Sequence, residues 1–255
     1  MGKLFLFGCS YTAEYFFDSD LNKEYKEYYN FRGGNFPPTW GQLLANKLNL
    51  ELVNYAWGGN GNDQIFHDVC KNFSQFKSDD VVIVEWSYIS RFRWAQFDEN
   101  FWMPIGPVNN DPEIINENTL NDILINRSHN LYIEQIYDFE KVIEALSKYV
   151  GFKLYFWSAD NKIIYPNEKI NRQVKYIASE YVKKDETIFD EVFRRNGKRI
   201  FEETNGQVDD NHFGESAHQI LYEIFSMYNA LAKVELFLLL CKIKMHIEKI
   251  KLLTI

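Results

Sequence analysis

Cysteine is scarce: Cys9, Cys70 and Cys241 are the 3 present in 255 residues. They are far apart and odd in number. They therefore define neither a disulfide framework nor a zinc-ligand spacing, and a reducing compartment is the expectation. Proline is also rare, with 6 residues, and no Pro-, Gly- or Ser-rich stretch interrupts the chain as a linker would. One domain is expected. The N-terminus has no basic segment followed by a long apolar run, so no signal peptide is expected and the chain reads as cytoplasmic. The apolar run Leu236 to Cys241 is far shorter than the roughly 20 residues a membrane-spanning helix needs. An excess of positive charge is missing too. With 28 Lys and Arg against 36 Asp and Glu the net charge is −8, so phosphate binding by counterion release is disfavoured and no nucleic-acid partner is expected. Aromatics, by contrast, are plentiful: 21 Phe, 16 Tyr and 6 Trp are ample for a packed core.

Short apolar runs alternate with helical patterns. Lys3 to Phe7 reads as a buried strand ended by Gly8. "TWGQLLANKL" (39–48) has helical spacing with Thr39 at the N-cap position. "ELVNYA" (51–56) is a second strand, followed by "WGGNGN" and a helix over 63–76. "DVVIVEW" (80–86) is the clearest buried strand. Residues 132–149 are helical, "FKLYFW" (152–157) is a fourth strand, 167–184 is helical, and "KRIFEE" (198–203) is a short fifth strand. Strands that are apolar throughout and separated by helices pair in parallel, with both sheet faces covered. The expected fold is α/β, a three-layer α/β/α arrangement around a parallel sheet of about five strands. The main domain spans residues 1–230. It is interrupted at 87–131 by a long, aromatic-rich insertion, read either as a packed surface loop or as a cap over a ligand cleft.

A tail follows at 231–255. Leu236, Leu240, Ile243, Ile247 and Ile250 repeat at alternating spacings of four and three, as in a coiled-coil seam. The plain reading is packing on the same domain. The sharper one is a homo-oligomer formed through this C-terminal helix.

The first strand stops at Gly8-Cys9-Ser10. In open parallel sheets ligands bind beyond the carboxyl ends of the strands. A hydroxyl there, with its amide opening a helix, combines a nucleophile with an anion-favouring donor. The plainer role for Ser10 is a helix N-cap. A serine nucleophile needs a base, and the base an orienting acid. His67 lies in a helical pattern, His246 in the tail, and His129 without an acid at short spacing. "DDNHFGESAH" (209–218) places Asp209 three residues before His212 on a polar loop, where an acid can set the imidazole tautomer. Asp209 and Asp210 can equally cap the helix near Gly214.

"FGCSYT", "NYAWGGNGN" and "DDNHFGESAH" together resemble the first, second and last blocks of the SGNH (GDSL-type) hydrolases. The resemblance runs in order from residue 3 to about 228. It implies a flavodoxin-like fold, Ser10 as nucleophile, the amides of Ser10 and Gly59 as oxyanion donors, Asp209 as acid and His212 as base. No metal or cofactor is required. Two positions depart from the family. Cys9 stands where an Asp is usual and reads as a small buried residue or as a reactive thiol. The Gly-x-Asn-Asp block after the third strand is replaced by "EWSYISR" (85–91). Ser87 or Ser90 offers a hydroxyl in place of its Asn, and Asn60 or Asn62 could reach in from the second block. Trp86, Arg91, Trp94 and Trp102 are the candidate substrate-binding side chains. The resemblance implies cleavage of small acyl esters, including O-acetyl groups on carbohydrates. The missing Asn motivates a rival: a catalytically weak or inactive binding protein on the same scaffold. A phosphorylated-cofactor binder is a weaker third reading, because "GGNGN" lacks the dinucleotide spacing and follows the second strand.

Overall fold

The structure, a computed structural model, describes residues 2–15, 23–96, 101–105, 129–160, 163 and 187–227. The helix expected over 167–184, and the expected coiled-coil-like seam of the 231–255 tail, lie outside these residues.

The elements run β1 (Lys3–Phe7), α1 (Lys23–Phe31), α2 (Trp40–Leu48), β2 (Glu51–Asn54), α3 (Asn62–Asn72), β3 (Val81–Trp86), β4 (Phe92–Gln96), β5 (Phe101–Ile105), α4 (His129–Val150), β6 (Lys153–Ser158), α5 (Ile188–Arg194), α6 (Ile200–Glu203) and a helix α7 over 215–227. Four strands form a parallel sheet in the order β2-β1-β3-β6. Within the 87–131 insertion, β4 and β5 pair as a separate antiparallel ladder, Trp94 opposite Met103 and Ala95 opposite Trp102.

Side-chain alternation divides the sheet into two apolar faces. Leu4, Leu6, Val81, Ile83 and Trp157 meet Trp40 and Leu44 of α2, Ile188 and Val192 of α5, and Leu221 and Phe225 of α7. Phe5, Phe7, Val82, Val84, Trp86 and Phe156 meet Ile65 and Val69 of α3 and Ile133, Ile136 and Ile143 of α4. Helices thus cover both faces. This double burial is the reason the strands carry apolar residues at successive positions.

The expected fifth strand is a helix. Arg199 stands before α6, and its N–H donates to Glu202 Oε2 at 2.8 Å, as in a capping box. Ile200 is fully buried. Glu203, at the end of α6, caps the start of α7. It accepts from Glu215 N (3.0 Å), Ser216 N (2.8 Å), Ser216 Oγ (2.7 Å) and the Tyr28 hydroxyl (3.0 Å). The capping role assigned to Asp209 and Asp210 therefore falls to Glu203, which reaches the helix N-terminus from another element. A Cβ on Gly214 would sit 2.3 Å from the Glu203 carboxyl carbon, so glycine is what admits the carboxylate.

Glu203→Ala removes an acceptor from four donors at once. It is expected to cost about 2–4 kcal/mol of unfolding free energy, read as a lower urea midpoint. An unchanged midpoint would show that water replaces the carboxylate at no cost.

Candidate functional site

The order β2-β1-β3-β6 puts the reversal of chain winding between β1 and β3. Beyond the carboxyl ends of strands at such a point a cleft forms. The segments arriving there are Gly8–Ala13 after β1, Trp57–Asn62 after β2, Ser87–Arg91 after β3 and Ala159–Asp160 after β6.

After β1 the chain makes one turn, Thr12 N and Ala13 N both donating to Cys9 O at 3.0 Å. Ser10 thus sits on a turn and does not open a helix. Among the described residues its hydroxyl forms no hydrogen bond, and its amide donates to no group. Gly8 is pressed against β3, where a Cβ would lie 2.4 Å from Glu85 Oε2. The Glu85 carboxylate accepts from Cys9 N (3.0 Å) and from the Cys9 thiol (2.9 Å). Burial, and then Glu85, push the Cys9 thiol up to about 12. A thiol so held is protonated at neutral pH, which removes Cys9 as a nucleophile.

The turn after β2 is tied to the same place. Gly8 O accepts from Trp57 N (3.2 Å) and from Asn60 Nδ2 (3.1 Å). Gly59 adopts φ +81, a left-handed conformation that favours glycine, and its amide likewise donates to no described group. Trp57 is 55% exposed at this edge.

Asn62 and Ser87, the proposed substitutes for the missing Asn, face each other. Asn62 Oδ1 accepts from Ser87 N (2.7 Å), and Asn62 Nδ2 donates to Ser87 O (3.1 Å). Both residues are fully buried. Asn62 therefore latches the end of β3, while Ser87 Oγ accepts from Arg91 Nη1 at 3.3 Å. Trp86 is not a substrate contact. It points into the core, stacks on Phe156 at 5.9 Å, and donates Nε1–H to Glu140 at 2.9 Å. Strand alternation sends position 86 to the α3–α4 face. The side chains of Trp94 and Trp102 lie outside the described part of the structure.

The 209–213 loop closes over the β1 turn. The Tyr15 hydroxyl donates to Phe213 O at 2.6 Å, and the His212 ring lies 5.9 Å from that of Tyr11 and 6.1 Å from that of Tyr25. Asp210, not Asp209, holds this histidine. Its Oδ1 meets His212 Nδ1 at 2.6 Å and accepts from His212 N at 2.8 Å. Asp210 is buried and Asp209 exposed, because a carboxylate two residues back reaches the ring from inside the loop. The other ring nitrogen makes no hydrogen bond among the described residues, and the side chain is 39% exposed. His218, one turn into α7, is a separate structural group. It is buried, accepts from Trp40 N at 3.4 Å, and is lowered to about 3 by burial and then by His212.

Among the described residues no three His, Cys, Asp or Glu side chains cluster as metal ligands, and no helix is long and apolar enough to cross a membrane. The sequence reading missed Glu85 and Asp210. A glutamate inside an apolar strand was a signal for the first. Nothing in "DDNH" ranked the two acids for the second. The chain matches no protein-family model, and no curated protein is similar to it.

Burial raises Glu85 above the usual carboxylate range, opposed by the hydrogen bonds from Cys9 and by the charge of Arg91. A carboxyl raised on folding holds its proton more tightly in the folded chain than in the unfolded one. It stabilises the fold below its ordinary range, and that contribution is lost as pH rises toward the folded value. Glu85→Gln has no such dependence. Its thermal midpoint should gain on wild type as pH rises from about 4 to about 8. A constant difference across that span would contradict the raised value.

Proposed function

We propose that this chain is a serine esterase of the SGNH type, cleaving a small acyl ester such as an O-acetyl group on a carbohydrate. The observation that carries the reading is the Asp210–His212 pair, joined at 2.6 Å, on a loop packed against the turn that bears Ser10. In this reading Ser10 attacks the carbonyl carbon and His212 takes the hydroxyl proton. Asp210 holds the ring with its proton on Nδ1 and stabilises the imidazolium. The tetrahedral oxyanion rests on the amides of Ser10 and Gly59, which have no other acceptor among the described residues. The alcohol leaves with the proton from His212. Water, deprotonated by the same ring, then releases the acid. The chemistry uses no metal or cofactor.

The Ser10 hydroxyl is not hydrogen-bonded to His212. Catalytic hydrogen bonds are often long before substrate binds. The same observation, with the family's third-block Asn absent, favours the second reading, a binding protein on this scaffold. A fluorophosphonate probe separates the two. The esterase is labelled at Ser10, with labelling lost in Ser10→Ala and His212→Ala. A chain that takes up no label, and hydrolyses p-nitrophenyl acetate no faster than Ser10→Ala, is the binder.

The two neighbouring acids give a sharper test. Asp210→Asn should lower kcat by about 10²–10⁴-fold, through loss of the tautomer and of imidazolium stabilisation. Asp209→Asn, on the exposed side, should stay within about twofold of wild type, in line with surface substitutions away from special features. The reverse ranking would return the acid to Asp209.

A further inference from the structure

We propose that Arg91 is an anion-recognition residue, making the substrate an ester that carries a second, negatively charged group. The inference deepens the esterase reading and rests on it for the reaction, though not for the binding of the anion.

Arg91 closes the turn that leaves β3, and that turn is held from three sides. Asn62 at the start of α3 is paired with the Ser87 backbone. Asp160, just after β6, accepts from Ile89 N at 3.2 Å. Tyr132 on α4 donates to Arg91 O at 3.0 Å. The side chain is oriented as well. Nη1 donates to Ser87 Oγ at 3.3 Å, and the guanidinium carbon lies over the Tyr88 ring at 5.4 Å. Such a cation–π contact restrains the guanidinium, and among the described residues its other N–H groups make no hydrogen bond.

Arg91 is half-buried, yet among the described residues no carboxylate lies within ion-pair distance of it. The carboxyl group whose rise its charge opposes, Glu85, is buried and already held by the Cys9 amide and thiol. A guanidinium held this way matches a carboxylate or phosphate through paired N–H donors. Its place is apt for substrate. β1 lies between β2 and β3 in the sheet, so the turn after β1 that carries Ser10 has the exposed Trp57 on one flank and Arg91 on the other. Burial raises both chain neighbours of Ser10, Cys9 and Tyr11, and the charge of Arg91 opposes both rises. An anion at Arg91 therefore belongs to the molecule whose carbonyl sits at Ser10.

The charge can sit on the acyl side or the alcohol side, and two ester pairs separate these. p-Nitrophenyl hemisuccinate is compared with p-nitrophenyl acetate, and 4-acetoxybenzoate with its methyl ester. In wild type, kcat/KM should favour the charged member of one pair. Arg91→Gln should lower that charged-to-neutral ratio about 10- to 100-fold, the range expected for a charge-assisted hydrogen bond. Arg91→Lys should fall between. The pair that responds assigns the side. A proportional loss on charged and neutral esters would make Arg91 a general electrostatic support for the Glu85–Cys9 neighbourhood and overturn the proposal, as would unchanged ratios in both pairs. Should Arg91→Gln fail to fold, the Arg91→Lys ratio decides by the same criteria. If Ser10→Ala hydrolyses every ester as wild type does, the esterase reading fails. The anion site is then read by succinate-induced thermal shift in Ser10→Ala. A rise that disappears with Arg91→Lys or Arg91→Gln upholds it, and no rise overturns it.

Discussion

Parallel pairing of β1 with both β2 and β3 is the constraint on which the rest depends. The registers Leu4–Leu52 and Leu4–Val81 place three carboxyl ends at one edge, with β1 in the middle. The turn after β1 is then flanked by the turns after β2 and β3. The backbone makes this literal: Gly8 O accepts from two donors of the β2 turn, while Cys9 reaches the Glu85 carboxylate of β3. Sheet pairing therefore continues, through hydrogen bonds to side chains, for two residues beyond the last ladder position of β1. Ser10 is the first residue free of it.

Glu85 is the destabilising part of this arrangement. A carboxyl removed from water in a strand of six buried residues is tolerated only with strong partners. It has the Cys9 amide and thiol, and the charge of Arg91 opposes its rise. In return Gly8 approaches β3 closely: the space a Cβ would need is taken by the carboxylate itself. The same device recurs at Gly214 and Glu203. In both places a glycine lets a carboxylate collect donors from a segment that begins a functional or structural element. A carboxylate from a distant position takes the part that a local cap would otherwise play.

Most of the architecture was legible in the residues because it stems from periodicity. The four runs read as strands at the sheet are strands, and the helices over 39–48, 63–76 and 132–149 correspond to α2, α3 with the short turn at 73–75, and α4. "KRIFEE" was misread because so short a run of apolar and charged residues fits a short strand and a single helical turn equally well, and the deciding contact is Glu203 with residues more than ten positions away. Trp86 was misassigned for a related reason. Aromatic character suggests a ligand platform, but alternation along β3 commits that position to the core. Asp209 and Asp210 differ only in which side of the loop faces inward, and no local pattern encodes that. Glu85 was visible as a charge in an apolar run, but its meaning required knowing that Cys9 lies alongside.

For the proposed SGNH-type esterase, the lack of a third-block Asn poses an electrostatic question that the neighbouring residues answer in part. Loss of one oxyanion donor costs about 3–4 kcal/mol in enzymes that depend on it. Neither Asn62 nor Ser87 is placed to repair the loss, since the Asn62 amide is committed to the Ser87 backbone and the Ser87 hydroxyl is fully buried and accepts from Arg91. The surroundings differ in a second respect, however: a guanidinium stands where the turn after β3 ends. A positive charge beside a low-dielectric edge favours negative charge over a longer range than a neutral amide does. An ester bearing its own anion would place two negative groups near each other as the oxyanion forms. A single Arg91 serves such a substrate best by neutralising the permanent charge, leaving the amides of Ser10 and Gly59 for the transient one. On that division of labour, the reading of Arg91 as an anion site and the reading of the Ser10 and Gly59 amides as the oxyanion hole are one proposal rather than two.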